Sequence, residues 1–114
     1  QGAINMETYR SKQQECFKEL KIPEAEVEHV SADKLVFLPS EPFKCFHSCL
    51  YKKLDLIAND NIDIEAIIPF AQVRFSKVPV DTIKTKAKMC NPKGPITCEK
   101  AFRYETCLAI AMTT

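Results

Sequence analysis

The sequence predicts an all-α protein, and three observations support this class. Its 114 residues include two glycines and seven prolines, and 46% of them are hydrophobic, a composition typical of helices separated by prolines. Apolar residues recur at three- and four-residue steps, which is the spacing of one helical face. Six cysteines at irregular spacing, without Cys-x-x-Cys pairs, favour three disulfides over zinc. We therefore expect one domain, residues 1–114, of six helices held by three disulfides.

Two helices are predicted in the first third of the chain. The first begins after Asn5, a residue type that caps helices, and its inward stripe is Met6, Tyr9, Gln13, Cys16, Phe17 and Leu20. The second begins at Pro23 and ends between His29 and Ser31. Residues 34–39 then hold four apolar side chains without helical spacing. We expect this segment to be a buried, extended connector.

The central helix is predicted from Pro42 to the Asn59-Asp60-Asn61 turn signal. Its buried stripe is Phe43, Phe46, Leu50, Leu54 and Ile57. Cys45 and Cys49 lie one turn apart on this helix, and their side chains lean in the same direction. We therefore expect each of them to pair with a different neighbouring segment.

The fourth and fifth helices follow from shorter patterns. The fourth is capped by Asn61 or Asp63, is kinked or shortened by Pro69, and buries Ile64, Ile67, Ile68 and Ala71. The fifth opens at Pro79, ends before Pro92, and carries Val80, Ile83 and Ala87 on one face. The opposite face of the fifth helix is rich in lysine.

The sixth helix is predicted after Thr97, a good capping residue. Its two cysteines, Cys98 and Cys107, are nine residues apart and therefore face opposite ways. They need different partners.

Several function classes are excluded by composition and motif. Sixteen basic against fifteen acidic residues give a net charge of +1 with no concentrated patch, so we expect no nucleic-acid partner. No apolar run approaches the roughly 20 residues needed to cross a bilayer, so we expect no membrane insertion. Two histidines far apart and serines without a Gly-x-Ser-x-Gly context offer no nucleophile site. We expect a protein that is not an enzyme and that needs no cofactor.

Two short motifs resemble metal sites, but neither is complete. Cys45-x-His47-x-Cys49 resembles part of a zinc site, but no second cluster of ligands follows it. The acidic alternation that begins at Asn59 has the start of a calcium loop, but its sixth and twelfth positions are Ile64 and Phe70. A structural histidine and a helix cap explain the same residues, so no metal is predicted.

The cysteine spacing as a whole carries a more specific signal. Cys16-x28-Cys45-x3-Cys49-x40-Cys90-x7-Cys98-x8-Cys107 is similar to the six-cysteine signature of the insect odorant-binding and pheromone-binding proteins. The segment 98–107 also resembles the last helix of that family. The resemblance implies six helices around an apolar pocket and the disulfides Cys16 to Cys49, Cys45 to Cys98, and Cys90 to Cys107. Seven residues follow Cys107, fewer than in members whose long tail enters the pocket on acidification, so that mechanism is not expected.

The resemblance implies a secreted carrier that binds a small hydrophobic ligand, such as an odorant, a pheromone or a lipid-like molecule. A membrane receptor or a second copy of the chain are further partners to consider. Two alternatives stay open: a scavenger of small molecules in saliva or haemolymph, and a disulfide-bonded interaction protein with a filled core. No signal peptide is recognisable, so we expect the mature form, beginning at Gln1, which can cyclise.

The facing stripes supply the candidate ligand-binding residues. Twelve are Leu50, Leu54, Ile57, Ile64, Ile67, Ile68, Ala71, Val80, Ile83, Ala87, Phe102 and Tyr104. The tail after Cys107 adds Leu108, Ile110 and Met112. Exposing this tail would cost several kcal/mol at about 25 cal/mol per Å², so we expect it to be buried. It either finishes the sixth helix against the core, meets a second chain, or closes one wall of the pocket.

Overall fold

The computed structural model describes residues 4–113 and is an all-α fold of six helices. The helices are α1 (Met6–Leu20), α2 (Glu24–Ser31), α3 (Phe46–Lys53), α4 (Ile64–Arg74), α5 (Val80–Met89) and α6 (Cys98–Thr113). A short 3-10 helix, Pro42–Cys45, leads into α3. The two-residue strands β1 (Ile57–Ala58) and β2 (Asn61–Ile62) pair antiparallel between α3 and α4. Within residues 4–113, no helix is long and apolar enough to cross a membrane.

Side-chain caps begin three of the helices where the sequence predicts them, one of them at α6, where the Thr97 hydroxyl accepts a hydrogen bond of 3.1 Å from the Lys100 N–H. The Asn5 carboxamide oxygen accepts a hydrogen bond of 2.8 Å from the Thr8 backbone N–H at the start of α1. Asp63, one of the two predicted candidates, caps α4 by accepting from the Ala66 N–H. Each cap satisfies a backbone donor that the first helical turn leaves free. Pro69 lies inside α4, which continues to Arg74.

The predicted central helix, 42–59, is wrong at both ends. Its first turn is the 3-10 helix, and α3 ends at Lys53. Asp55 adopts a left-handed backbone with φ of 59°, and the Leu56 N–H bonds back to the Tyr51 carbonyl at 2.9 Å. This is the Schellman ending of a helix, usually built on glycine. Ile57, predicted on the helical stripe, therefore lies in β1 instead.

A tight hairpin replaces the last turn of the predicted helix. Asn59 and Asp60 connect β1 to β2, and both have positive φ, 54° and 63°. Two-residue hairpin loops favour this geometry, which asparagine and aspartate tolerate better than most residues. The sequence correctly predicts a turn at these residues, but the turn connects two antiparallel strands and does not end a helix.

The connector between α2 and the 3-10 helix is only partly buried, which corrects the expectation for residues 34–39. Leu35 and Val36 are half-buried, whereas Phe37 is 66% and Leu38 93% exposed. The connector is held at its ends, because Asp33 pairs with Arg10 and the Ser40 hydroxyl donates to Glu26 at 2.6 Å. The residues between these two anchors form no helix or strand, and the side chains of Phe37 and Leu38 point into solvent.

The core lies between α3 and the helices around it. Phe17 and Phe43 both stack on Phe46, with ring centroids 5.0 and 5.2 Å apart. The disulfides join Cys16 to Cys49, Cys45 to Cys98, and Cys90 to Cys107. This is the pairing that the resemblance implies, and it links α1 to α3 and the 3-10 helix before α3 to α6.

The tail completes α6, which runs to Thr113. Leu108 and Met112 are buried in the core, as expected, but Ile110 is 42% exposed. The expectation that the whole apolar tail is covered is therefore wrong at Ile110. The tail forms a continuous helix, and a helix that packs on one side leaves its opposite side in water.

Candidate ligand-binding cavity

A cavity of about 320 Å³ opens between α1, the connector after α2, α3, the end of α4, and α6. Its wall consists of Met6, Tyr9, Gln13, Val30, Asp33, Lys34, Leu35, Val36, Phe43, His47, Arg74, Phe75, Glu105, Thr106, Ala109 and Thr113. The volume is at the lower end of the range for small-molecule sites.

Two helices, α1 and α6, supply seven of the sixteen wall residues, through one face each. On α1 the lining residues Met6, Tyr9 and Gln13 follow the three- and four-residue steps of a helical stripe. On α6 the same spacing brings Thr106, Ala109 and Thr113 to the cavity, where they form the facing wall. Half-buried Leu35 and Val36 of the connector close the side between these helices.

A buried ion pair forms the floor of the cavity. Arg74 at the end of α4 donates two hydrogen bonds to the Glu105 carboxylate of α6, at 2.9 and 2.6 Å. The Tyr51 hydroxyl donates to the same carboxylate at 2.6 Å. Burial disfavours both charges, but their mutual attraction outweighs it. The pKa of Glu105 is therefore below its ordinary value and the pKa of Arg74 above its own.

Aromatic rings surround the Arg74 guanidinium. It lies 5.2 Å from the ring centroid of Tyr9, 5.0 Å from that of Phe70 and 4.8 Å from that of Phe75. Such contacts favour a cation that has lost much of its water. Burial raises the pKa of Tyr9 to about 12, so its hydroxyl keeps its proton at physiological pH.

His47 is the unusual polar residue of the wall. Its Nδ1 is buried and has no hydrogen-bond partner among residues 4–113. The imidazole packs instead against aromatic rings, with centroid distances of 5.2 Å to Phe46, 5.6 Å to Phe43 and 6.0 Å to Phe102. Burial lowers the pKa of His47 to about 4, although the charge of Glu105 acts in the opposite direction. The ring is neutral at physiological pH.

The comparison with family models decides which proteins this chain is related to. The model of the PBP/GOBP family matches residues 3–110. The chain belongs to the PBP/GOBP family. The proteins of this family, the pheromone-binding and odorant-binding proteins, are secreted and bind small hydrophobic ligands. No curated protein sequence matches the chain.

A solved structure supports the PBP/GOBP fold. It is that of the fatty acid binding protein OBP56a from the oral disk of the blowfly Phormia regina. The two chains are 18% identical, with a TM-score of 0.70 over 97% of this chain and 96% of the other. At this identity the similarity concerns the fold.

Within this PBP/GOBP chain, none of the fifteen predicted ligand-binding residues lies on the wall of the described cavity. Ten are buried: Leu50, Leu54, Ile67, Ile68, Ala71, Ile83, Ala87, Tyr104, Leu108 and Met112. Three are half-buried against the core, namely Ile57, Ile64 and Phe102. Val80 and Ile110 are exposed. Contact between these residues and a bound ligand stays a prediction.

The polar residues of the wall were not predicted from the sequence, although one of them, Glu105, has a recognisable signal there. The buried residues of α6 include Ala101, Tyr104, Leu108 and Met112, and Glu105 falls within this stripe. A carboxylate on an otherwise apolar face implies a buried cationic partner. That partner, Arg74, is 31 residues away on α4, so helical spacing alone cannot identify it.

The two metal motifs have structural roles. The cysteines on either side of His47 are in disulfides, which removes their thiolates as ligands. Asp63 of the acidic stretch caps α4. Among residues 4–113, no group of three or more His, Cys, Asp or Glu side chains could hold a metal ion.

Proposed function

We propose that this protein is a secreted carrier that encloses one small, mostly apolar ligand in the described cavity and releases it unchanged. The cavity itself carries the proposal. It is a space of about 320 Å³ within a shell stapled by three disulfides, and the two buried charges of its wall, Arg74 and Glu105, are paired with each other. Three disulfides also suit an oxidising, extracellular compartment.

The size of the cavity limits the ligand. If each non-hydrogen atom takes about the 30 Å³ of a water molecule, roughly ten such atoms fit. Burying about 300 Å² of apolar ligand surface at about 25 cal/mol per Å² contributes roughly 7 kcal/mol before ordering costs. We therefore expect dissociation constants in the micromolar range or weaker. The name of the blowfly protein, which shares the fold, also supports a ligand with an apolar chain.

Titration with an apolar fluorescent dye tests the proposal. We expect saturable binding of one dye per chain, and displacement by ten-carbon compounds. The Ala109→Trp variant should weaken dye binding at least tenfold, because Ala109 lines the cavity and the indole would fill it. Arg103→Trp is the matched control, since it adds the same ring to the exposed face of α6.

One outcome would contradict the carrier role, and another would contradict the cavity as its binding site. Absence of saturable binding would favour the interaction protein with a filled core. Equal binding by the Ala109→Trp and Arg103→Trp variants would place the ligand elsewhere.

A carrier also needs an acceptor for its cargo, for which we propose a membrane receptor. A scavenger in saliva or haemolymph needs none, and the tissue of expression separates these two roles.

A further inference from the structure

We propose that His47 anchors the ligand by a hydrogen bond to an uncharged hydroxyl or carbonyl group, so that the cavity selects neutral medium-chain alcohols and carbonyl compounds over carboxylates. This inference rests on the proposed carrier function and names the chemical class of the cargo.

The first argument is that several polar side chains of the wall already have partners. Glu105 accepts from Arg74 and Tyr51. The hydroxyls of Thr106 and Thr113 donate to backbone carbonyls of their own helix, at 3.0 and 2.8 Å. The donor hydrogens of these two hydroxyls and the charge of Glu105 are therefore already engaged within the protein.

His47, in contrast, has a ring nitrogen without a hydrogen-bond partner among the described residues. Its Nδ1 is the one buried side-chain nitrogen or oxygen without a partner in the part of the chain that the structure describes. A buried polar atom without a partner destabilises the protein, so a group that supplies the missing bond binds favourably. A neutral imidazole has one donor and one acceptor nitrogen and can bond to a hydroxyl or a carbonyl.

Contact between Nδ1 and a ligand requires the His47 ring to turn. His47 lies on the cavity wall, although its Nδ1 is shielded from solvent. A half-turn about the Cβ–Cγ bond exchanges Nδ1 with Cδ2 and preserves the outline of the ring, so its packing against Phe43 and Phe46 is kept. The half-turn brings Nδ1 to the other edge of the ring.

The charges of the wall argue against a carboxylate ligand. Arg74 is engaged by both oxygens of Glu105, and a second carboxylate would add a negative charge beside that buried pair. Like charges in a buried site repel strongly. The other cation of the wall, Lys34, is exposed at the rim, where water screens its charge. His47 is held neutral by burial and so has no positive charge to balance that of an anion.

Matched ligands test the head group. We expect 1-decanol to bind the wild-type protein at least tenfold more tightly than decanoate at pH 7, as measured by displacement of the apolar dye. We also expect 1-decanol, but not the dye, to shift the imidazole nitrogen resonances of His47. This second measurement needs no variant.

Matched variants test the residue. His47→Phe keeps an aromatic ring and removes both nitrogens, and it should lower 1-decanol affinity about tenfold while changing dye affinity by less than threefold. Thr85→Val is the control, because it removes a hydroxyl that is bonded in the same way within its own helix, α5, but does not line the cavity. It should leave the ratio of the two affinities unchanged. Circular dichroism checks that each variant is folded, and His47→Leu replaces the phenylalanine variant if that one is not.

The results separate this inference from the carrier proposal. Dye binding without a preference for decanol over decanoate overturns the selection of neutral head groups and leaves the carrier intact. A preference for decanol that survives His47→Phe, or unchanged imidazole resonances, overturns the role of His47. Failure of both dye and decanol to bind overturns the carrier proposal and this inference with it.

Discussion

Among single residues, Arg74 and Glu105 differ from the other ion pairs of residues 4–113 in their burial. Their side chains are 13% and 7% exposed, and the remaining pairs each have at least one side chain more than one-third exposed. Surface pairs contribute little because water screens them. Removing one member of a buried pair leaves the other charge without compensation.

We expect Glu105→Gln to lower the free energy of unfolding by about 3 to 5 kcal/mol, since the neutral amide cannot balance the Arg74 charge. Glu99→Gln on the same helix is the matched control. It breaks the pair with Arg103, whose side chains are 72% and 70% exposed, and should cost less than about 0.5 kcal/mol. Urea denaturation at pH 7 measures both. Similar losses in the two variants would show that the buried pair contributes no more to the free energy of unfolding than the exposed pair.

His47 gives a pH dependence in a defined window. Its pKa falls from 6.5 to about 4 on folding, so the unfolded chain binds more protons between these values. The stability from a neutral His47 is therefore fully present above pH 6.5 and is lost as the pH falls to about 4. The loss is roughly 3 kcal/mol, at about 1.4 kcal/mol per pKa unit. The pKa of Glu105 is also lowered, and its contribution is lost at lower pH, below its ordinary value.

The measurement is the urea midpoint of the wild type and of His47→Phe between pH 7 and pH 4. We expect the wild type to lose stability across this range and the variant to have a smaller slope. Parallel curves would mean that groups other than His47 produce the loss.

At the level of elements, three helices end in the same way without glycine. Lys21, Asp33 and Asp55 follow α1, α2 and α3 with φ of 55°, 59° and 59°. After each, the next backbone N–H bonds to a carbonyl five residues earlier, at 3.0, 2.8 and 2.9 Å respectively. A side chain in this conformation is strained, whereas glycine adopts it freely.

Asp55→Gly should therefore raise the free energy of unfolding by about 0.5 to 1 kcal/mol, because it relieves the strain of a left-handed residue. Lys52→Gly, at an exposed site within α3, should lower it by about 1 kcal/mol. Thermal or urea unfolding compares the two. Destabilisation by Asp55→Gly would mean that the aspartate side chain contributes more than its backbone costs.

At the level of the whole molecule, the disulfides lower the conformational entropy of the unfolded chain by different amounts. Cys45 to Cys98 spans 53 residues and Cys90 to Cys107 spans 17. In the chain-entropy model these crosslinks stabilise by about 4 and about 3 kcal/mol, respectively.

We expect the double variant Cys45→Ala/Cys98→Ala to be the less stable of the two corresponding alanine pairs, by about 1 kcal/mol. Guanidinium denaturation under non-reducing conditions measures the difference. The reverse order would indicate that local packing around each sulfur pair outweighs loop length.

The elements could be predicted to the extent that their signals are local. Asn5 and Asp63 cap their helices through side chains that bond three residues ahead. The end of α3 was missed because the residue that turns the chain is Asp55 rather than glycine. Exposure of Phe37 and Leu38 was missed because it depends on where Asp33 and Ser40 are anchored, which composition does not reveal.

The sequence by itself determined the helical class, through apolar spacing, and the family, through the intervals between six cysteines. The tertiary structure alone decided where the cavity lies and which residues line it. A stripe shows which face of a helix avoids water, but it does not distinguish a side chain in the packed core from one beside a cavity. The described wall is formed where α1, the connector, α3, α4 and α6 leave a gap. The position of that gap depends on contacts such as that between Arg74 and Glu105, which are distant along the chain.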